Sequence, residues 1–452
     1  MDFDSFLAEV GDFGIYQTVL FFLICLPASL PSAFSAFNQP FVVGEPVHNC
    51  KFPTNREDLK PIAVYIDFIG NLKDDLSCWQ YNETEVDLLK NLSIEDFKEA
   101  RKELKLIPCQ YGWDYDNSTY INTLVTEFNL VCDQKNLIDL TGTAFYIGSF
   151  IGNIVFGHVA DKFGRRVSFF IILLTLVVFG SANAFAPNIE SFIALRFLTG
   201  LPFPALFQIP FIISIEFMGE SGRVFCGLMI DAFFGLAMVL LGLLAMFVRR
   251  WRLLIFLCNA PFVILFSYYL FLPESPRWLA SVGRFSEAKT VLSKIAKANG
   301  KKDVDVHELI LQMERNRYSI GDTKEHTLYD LFRTPNLRKK TLIVTYIWFV
   351  NAAVYNCMTL NISNLPVNDY VSFIINGAVE LPAYFIIWPL LSLIGRRWSL
   401  ASSMLLAGIA CVSTMFAPPT TSNFNLIYKV NIAKLWNISN LFWLNLYAIP
   451  LS

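Results

Sequence analysis

Two carboxylates stand where a carboxylate is costly to keep. Asp231 lies about two turns inside an apolar run from Val224 to Val248, and Glu380 lies inside another from Tyr370 to Leu393. An ionised side chain in hydrocarbon persists where it faces a cavity or a partner, so both residues are candidates to attract a cation. The alternative for Asp231 is a salt bridge within a helix bundle. Trp348 and Tyr355, two turns apart in a further apolar run, share one helix face. Their rings could hold an ammonium group by cation–π attraction of about 0.5 to 2 kcal/mol; aromatic residues in membrane helices also serve as packing or interface anchors. Gln208 is a weaker candidate, since a single glutamine can equally bond a neighbouring helix.

None of this is covalent chemistry. The four histidines, His48, His158, His307 and His326, are scattered over polar segments rather than clustered as an enzyme or metal site requires, so no catalytic residue, metal or cofactor is expected. A G-x-x-x-x-G-K-[ST] loop is missing, which argues against direct drive by ATP. Lys and Arg number 36 against 38 Asp and Glu, and so near-neutral a chain is not a nucleic-acid binder.

The elements that must position these residues are membrane spans. Of 452 residues, 54% are hydrophobic and 16% charged, against roughly a quarter charged in soluble domains. Residues 157–166 read GHVADKFGRR between two apolar runs, and this short cationic loop marks a cytoplasmic side. SLIGRR at 392–397 repeats its end, aligning Gly164, Arg165 and Arg166 with Gly395, Arg396 and Arg397. Repeated halves in a polytopic chain point to a secondary transporter with its site between them. Within the first copy Gly157 and Gly164 permit close backbone approach, and Asp161 can pair with Arg165 or Arg166. The second copy has Ser392 in place of Asp161.

The chain in order predicts a cytoplasmic N-terminus (1–15) and a six-span bundle (16–272), with spans near Tyr16–Phe37, Asp139–Phe156, Val167–Ala186, Phe192–Ile215, Val224–Val248 and Leu253–Leu272. Pro27 and Pro31 predict a kinked first helix. A cytoplasmic linker (273–340) follows, with an amphipathic helix around Glu287–Ala296 lying on the membrane face, then spans near Thr341–Leu360, Tyr370–Leu393 and Ser399–Ala417. Arg196 sits at the start of the fourth span and is either functional or shallow enough to snorkel. Arg249, Arg250 and Arg252 face outside, an exception that the bias over all loops outweighs. Glu216, Glu220, Arg223, Glu274 and Arg277 fall at cytoplasmic helix ends, where cross-loop pairs could form and break; exposed pairs contribute only about 0 to 1 kcal/mol each, so gating there needs a network. Counting from the repeat, the second bundle (341–417) stops after three spans, and the tail 418–452, interrupted by Lys429, Lys434 and several Asn, reads as divergent.

Residues 38–138 form a long polar loop holding Cys50, Cys78, Cys109 and Cys132 with the sequons at Asn82, Asn91 and Asn117. Four cysteines allow three pairings, and cysteines with sequons in one loop indicate an extracellular, disulfide-tied, glycosylated domain. Cys25, Cys226, Cys258, Cys357 and Cys411, in apolar runs, read as small packing residues.

GHVADKFGRR resembles the signature loop of the major facilitator superfamily. The long loop after the first span, PESPRWL at Pro273 to Leu279, EVGDFGIYQ at Glu9 to Gln17 and VELPAY at Val379 to Tyr384 resemble its organic cation, anion and carnitine transporter branch. The resemblance implies an all-α polytopic membrane protein of that superfamily's fold: an N-terminal six-helix bundle with, on the count above, an incomplete C-terminal one lacking the last three helices. It implies that Trp348, Tyr355, Phe234 and Glu380 line a central cavity and that the GRR loops latch the two halves.

The expected function is a plasma-membrane carrier of small organic ions, working by alternating access in the lipid bilayer and leaning to cations or carnitine-like zwitterions. An organic anion carrier is the alternative for charge sign, prompted by Arg196. A different class of reading is a non-transporting chain that pairs with a full-length relative, and the extracellular loop is a candidate surface for homo- or hetero-oligomers.

Overall fold

The computed structural model describes residues 3–51, 77–81, 106–301, 305–320, 330–360, 368–395 and short stretches between 398 and 409. Among the described residues, six helical segments are long and apolar enough to cross a membrane: Ile15–Phe37, Cys132–Phe163, Arg165–Phe185, Ile189–Phe217, Gly222–Phe247 and Trp251–Leu270. They are the first six predicted spans in order. Helices Pro335–Leu360 and Asp369–Ile394 stand where the seventh and eighth were expected. Most of the ninth, and all of the tail, fall outside the described residues.

Proline sets the local irregularities. The first span widens into a π-helical turn at Phe21–Cys25, directly before Pro27, where the proline ring would otherwise crowd the carbonyl one turn back. The fourth breaks into Ile189–Gly200 and Phe203–Phe217 around Pro202. The sixth changes from α-helix (Trp251–Asn259) to a 3-10 coil (Ala260–Leu270) at Pro261.

Small residues decide which helices touch. A methyl group at Gly148, Gly152 or Gly200 would strike the main chain of the facing helix, so the second and fourth spans pack backbone to backbone. The fifth span meets the eighth helix similarly: a methyl at Gly377 would fall 3.0 Å from Met238 Cβ, and one at Gly242 would fall 2.7 Å from Ile374 Cγ1.

Two sequence expectations are corrected, and one element is added. GHVADKF is not loop; the second helix runs to Phe163 and stops only at Gly164, whose φ is +96°. Gly395, its repeat partner, ends the eighth helix with φ +78°. In each copy the next helix opens with the same bond, Ser168 N–H to the Gly164 carbonyl (3.3 Å) and Ser399 N–H to the Gly395 carbonyl (3.2 Å), and both serines are fully buried. The linker helix Phe285–Ala298 buries Ala288, Leu292, Ile295 and Ala296 in the main protein core rather than in a membrane face. The N-terminal residues are an ordered element: Phe3–Gly11 is a helix whose Phe6, Leu7 and Val10 join that core. Asn299 after the linker helix secures the first span, accepting from Tyr16 N–H (3.1 Å) and donating to Gln17 Oε1 (2.9 Å).

The loop after the first span builds a small lobe. Strand β1 (His48–Cys50) pairs antiparallel with β4 (Trp113–Tyr115), and β2 (Trp79–Tyr81) with β3 (Leu106–Pro108). Disulfides Cys50–Cys109 and Cys78–Cys132 select one of the three pairings. The lobe rests on one end of the bundle through Leu124, Val125 and Val131, packed with Phe192 and Trp251. Its Glu127 explains the anomalous basic turn: Arg252 Nη2 donates to Glu127 Oε1 at 2.6 Å and Trp251 Nε1 to Oε2 at 2.8 Å. Cys25, Cys226 and Cys258 are buried packing residues, whereas Cys357 and Cys411 lie outside the described side chains.

Candidate functional site

The two intramembrane carboxylates meet. Asp231 and Glu380, 1% and 4% exposed, come from the fifth span and the eighth helix at their contact. Gly235, one turn beyond Asp231, makes the room: a methyl there would lie 3.5 Å from Glu380 Cβ and 3.6 Å from its Oε2. Among the described residues, the buried Asp231 Oδ2 has no hydrogen-bond donor. A pair of acids so placed concentrates negative potential at the contact between the two halves.

Phe234, three residues after Asp231, stands edge-on to Phe37 (5.9 Å between ring centres) and to Phe207 (5.6 Å). Trp348 is half-buried in the seventh helix, and the Tyr355 side chain lies outside the described residues. Gln208 is exposed and is not buried with the acids.

At the end carrying the GRR motif, the predicted charges form a network rather than isolated pairs. Arg165 donates to Asp161 Oδ1 (2.7 Å) and Glu216 Oε1 (3.1 Å), which settles the pairing of Asp161 on Arg165. Glu274 accepts the main-chain N–H groups of Arg165 (2.8 Å) and Arg166 (3.2 Å) at the start of the third span. A carboxylate there satisfies free donors and complements the helix dipole. Arg166 reaches the Tyr269 carbonyl at 2.5 Å and lies 4.4 Å over its ring. Trp278 of PESPRWL donates to the Asp161 carbonyl at 2.9 Å. Of the two glycines read as close-approach positions, only Gly164 is one among the described residues: a Cβ there would sit 2.8 Å from Glu274 Cδ, while one at Gly157 meets no described atom within 4 Å. The Glu220, Arg396 and Arg397 side chains lie outside the described residues.

Arg223 and Arg277 converge on an acid the sequence reading passed over. Asp4 of the N-terminal helix takes Arg223 on both carboxylate oxygens and Arg277 Nη1 at 3.4 Å, and Arg223 is 2% exposed. The signal was present: Phe3, Phe6, Leu7 and Val10 recur at helical spacing and put Asp4 beside an apolar stripe.

Arg196 does not snorkel, and among the described residues it pairs with no carboxylate. It is 2% exposed, donates to Gln39 Oε1 (2.7 Å) and Asn38 Oδ1 (3.4 Å), and lies 4.9 Å over the Phe145 ring. No local pattern marks Asn38 or Gln39 as its partners, because they are distant in sequence. Asn117 is exposed in the lobe; Asn82 and Asn91 lie outside the described residues.

Comparison with known proteins fits this architecture. The "Sugar (and other) transporter" family model matches residues 104–448. Organic cation transporter 1 of Caenorhabditis elegans is 60% identical, the match covering 92% of this chain and 71% of that protein. The β-alanine transporter of Drosophila melanogaster is 37% identical, covering 99% and 78%, and organic cation/carnitine transporter 2 of Homo sapiens is 30% identical, covering 92% and 75%. In fold alone, the proton:xylose symporter XylE bound to 6-bromo-6-deoxy-D-glucose superposes with a TM-score of 0.57 at 15% identity, over 95% of this chain and 82% of that one. Six apolar spans in order, a GRR turn that recurs with a positive-φ glycine in each copy, and the transporters named above as relatives lead to one conclusion: this multi-pass membrane protein belongs to the organic cation, anion and carnitine transporter family of the major facilitator superfamily.

Proposed function

We propose that the chain moves small organic cations or carnitine-like zwitterions across the plasma membrane by alternating access, with its N-terminus cytoplasmic and the disulfide lobe extracellular. The observation that carries the reading is the buried meeting of Asp231 and Glu380 between the fifth span and the eighth helix. Two acids side by side in low dielectric are relieved by a positive group brought between them, and an ammonium supplies it. Phe234, Trp348 and Tyr355 are the rings proposed to face that ammonium, with Gln208 as an accessory polar group. The Arg165 network, with Gly164, Gly395, Arg396 and Arg397 at the two GRR turns, is proposed to latch the cytoplasmic side. The names of the relatives, which include an organic cation transporter and a carnitine transporter, support the substrate class.

The test is uptake of a labelled panel of organic cations, zwitterions and anions by cells expressing the chain or its Glu380→Gln variant. Saturable uptake of cations or zwitterions, weakened by the substitution, is expected. Uptake confined to anions, or no uptake by protein present at the surface, overturns the reading.

A further inference from the structure

The lobe does more than cover one end of the bundle. Between Cys109 and Cys132, residues 116–123 run as an arm across the ends of the fifth and sixth spans. Main-chain bonds hold it there: Asn122 N–H donates to the Arg249 carbonyl (3.3 Å) and Trp251 N–H donates to the Asn122 carbonyl (3.2 Å). Arg249 Nη1 also donates to the Ser118 carbonyl at 3.4 Å. The arm therefore belongs to the N-terminal half.

Its tip reaches the other half. Tyr120, 5% exposed, donates its hydroxyl to Asp369 Oδ2 at 2.6 Å, and Asp369 opens the eighth helix. The next residue, Tyr370, returns its own hydroxyl to the Thr119 carbonyl at 3.4 Å. Beneath these bonds the rings close up. Phe41 stacks on Tyr370 with centres 5.3 Å apart and 2° between planes, and Phe373 meets Phe41 edge-on at 4.9 Å. Burial and the Asp369 carboxylate both push the Tyr120 hydroxyl up from its ordinary value, so it remains a protonated donor throughout the physiological range.

We infer that the arm is a gate element: Tyr120 and Asp369 clasp the eighth helix to the N-terminal half and hold the lobe end of the pathway closed. The reason is geometric. In a chain that exposes its site to alternate sides, the fifth span and the eighth helix must part at the lobe end, and they cannot do so without breaking a short charge-assisted bond and unstacking Phe41 from Tyr370. Because the two disulfides bracket the arm, the lobe resists any displacement of Tyr120 toward the eighth helix as it leaves.

The inference rests on the extracellular placement of the lobe proposed above, and the experiment separates the two. A thiol is introduced under the clasp by Phe373→Cys, and its modification by a membrane-impermeant thiol reagent is timed on intact cells, counting surface-biotinylated protein alone and subtracting the chain without the added thiol. Tyr120→Phe keeps the ring and deletes the hydroxyl; Asp369→Asn keeps the shape and deletes the charge. Each is expected to speed modification about tenfold, the scale of one hydrogen bond to a charged group, and the double variant is expected to add little to either. Rates within twofold of the parent in both single variants, or full additivity in the double, overturn the clasp. Ser118→Cys, exposed on the same arm, reports the topology: if the reagent cannot reach it, the lobe is not extracellular and both readings fall. If it is modified while the clasp variants change nothing, only the clasp is wrong.

Discussion

Removing the Asp4 carboxylate should loosen the whole end of the bundle that carries the GRR motif. Arg223 is buried; its Nη1 and Nη2 donate to the two Asp4 carboxylate oxygens and its Nε to the Ile215 carbonyl at 3.2 Å. Asp4→Asn leaves that guanidinium without its counter-charge among the described residues and one acceptor short. Breaking one partner out of a fully buried pair costs about 3 to 5 kcal/mol. Asp4 keeps 18% exposure and Arg277 is more open still, so solvent screens part of the loss and about 2 to 3 kcal/mol is expected. The assay is thermal unfolding of the detergent-purified protein, with Glu9→Gln on the exposed side of the same helix as reference. Asp4→Asn should lower Tm clearly and Glu9→Gln should not. Replacing both partners, as Asp4→Asn with Arg223→Met, should cost less than the sum of the single changes, because no bare charge remains. Equal Tm values for Asp4→Asn and Glu9→Gln, or additive single effects, would refute the reasoning and reduce the N-terminal helix to packing.

Three further outcomes are expected. Gly164→Ala must force a Cβ into the left-handed region and against Glu274, so it should destabilise by about 2 kcal/mol or more, whereas Gly157→Ala, on an open helix face, should be neutral or slightly stabilising; thermostability by size exclusion compares the two. Partial burial alone would raise the Glu127 carboxyl, but hydrogen bonds from Arg252 and Trp251 hold it below its ordinary value, so its contribution is present above about pH 4 and lost as pH falls through the lowered value. The Tm gap between the parent and Arg252→Gln should accordingly be widest near neutrality and close in acid. Gln39→Leu deprives the buried Arg196 of its nearest acceptor and should cost about 1.5 to 3 kcal/mol, while the same change in an Arg196→Met background should cost little, as a double-variant cycle on Tm would show.

The apolar runs, their order and the recurrence of GRR were legible from sequence because they depend on quantities carried by short windows: hydropathy, charge and spacing. The same holds for the linker helix, whose buried residues fall at the predicted positions. What short windows cannot carry is partnership. Asp231 and Glu380 were each conspicuous as a carboxylate in an apolar run, yet nothing local says that Gly235 opens the space in which the two face one another. The reading of residues 157–163 as loop failed because polar residues were taken to end the helix, whereas the backbone ends only where glycine alone tolerates the dihedral.

By itself, then, the sequence determined that this is a polytopic membrane protein of two related halves, with a disulfide-tied loop and two acids inside its spans. Only the tertiary structure decided that Asp4 holds Arg223 and Arg277, that Arg196 rests on Asn38 and Gln39, and that Tyr120 crosses to Asp369. The physical reason is common to all three. A buried charge or short hydrogen bond takes its energy from whichever complementary group the packing of the helices brings within about 3 Å, and that group can come from anywhere along the chain.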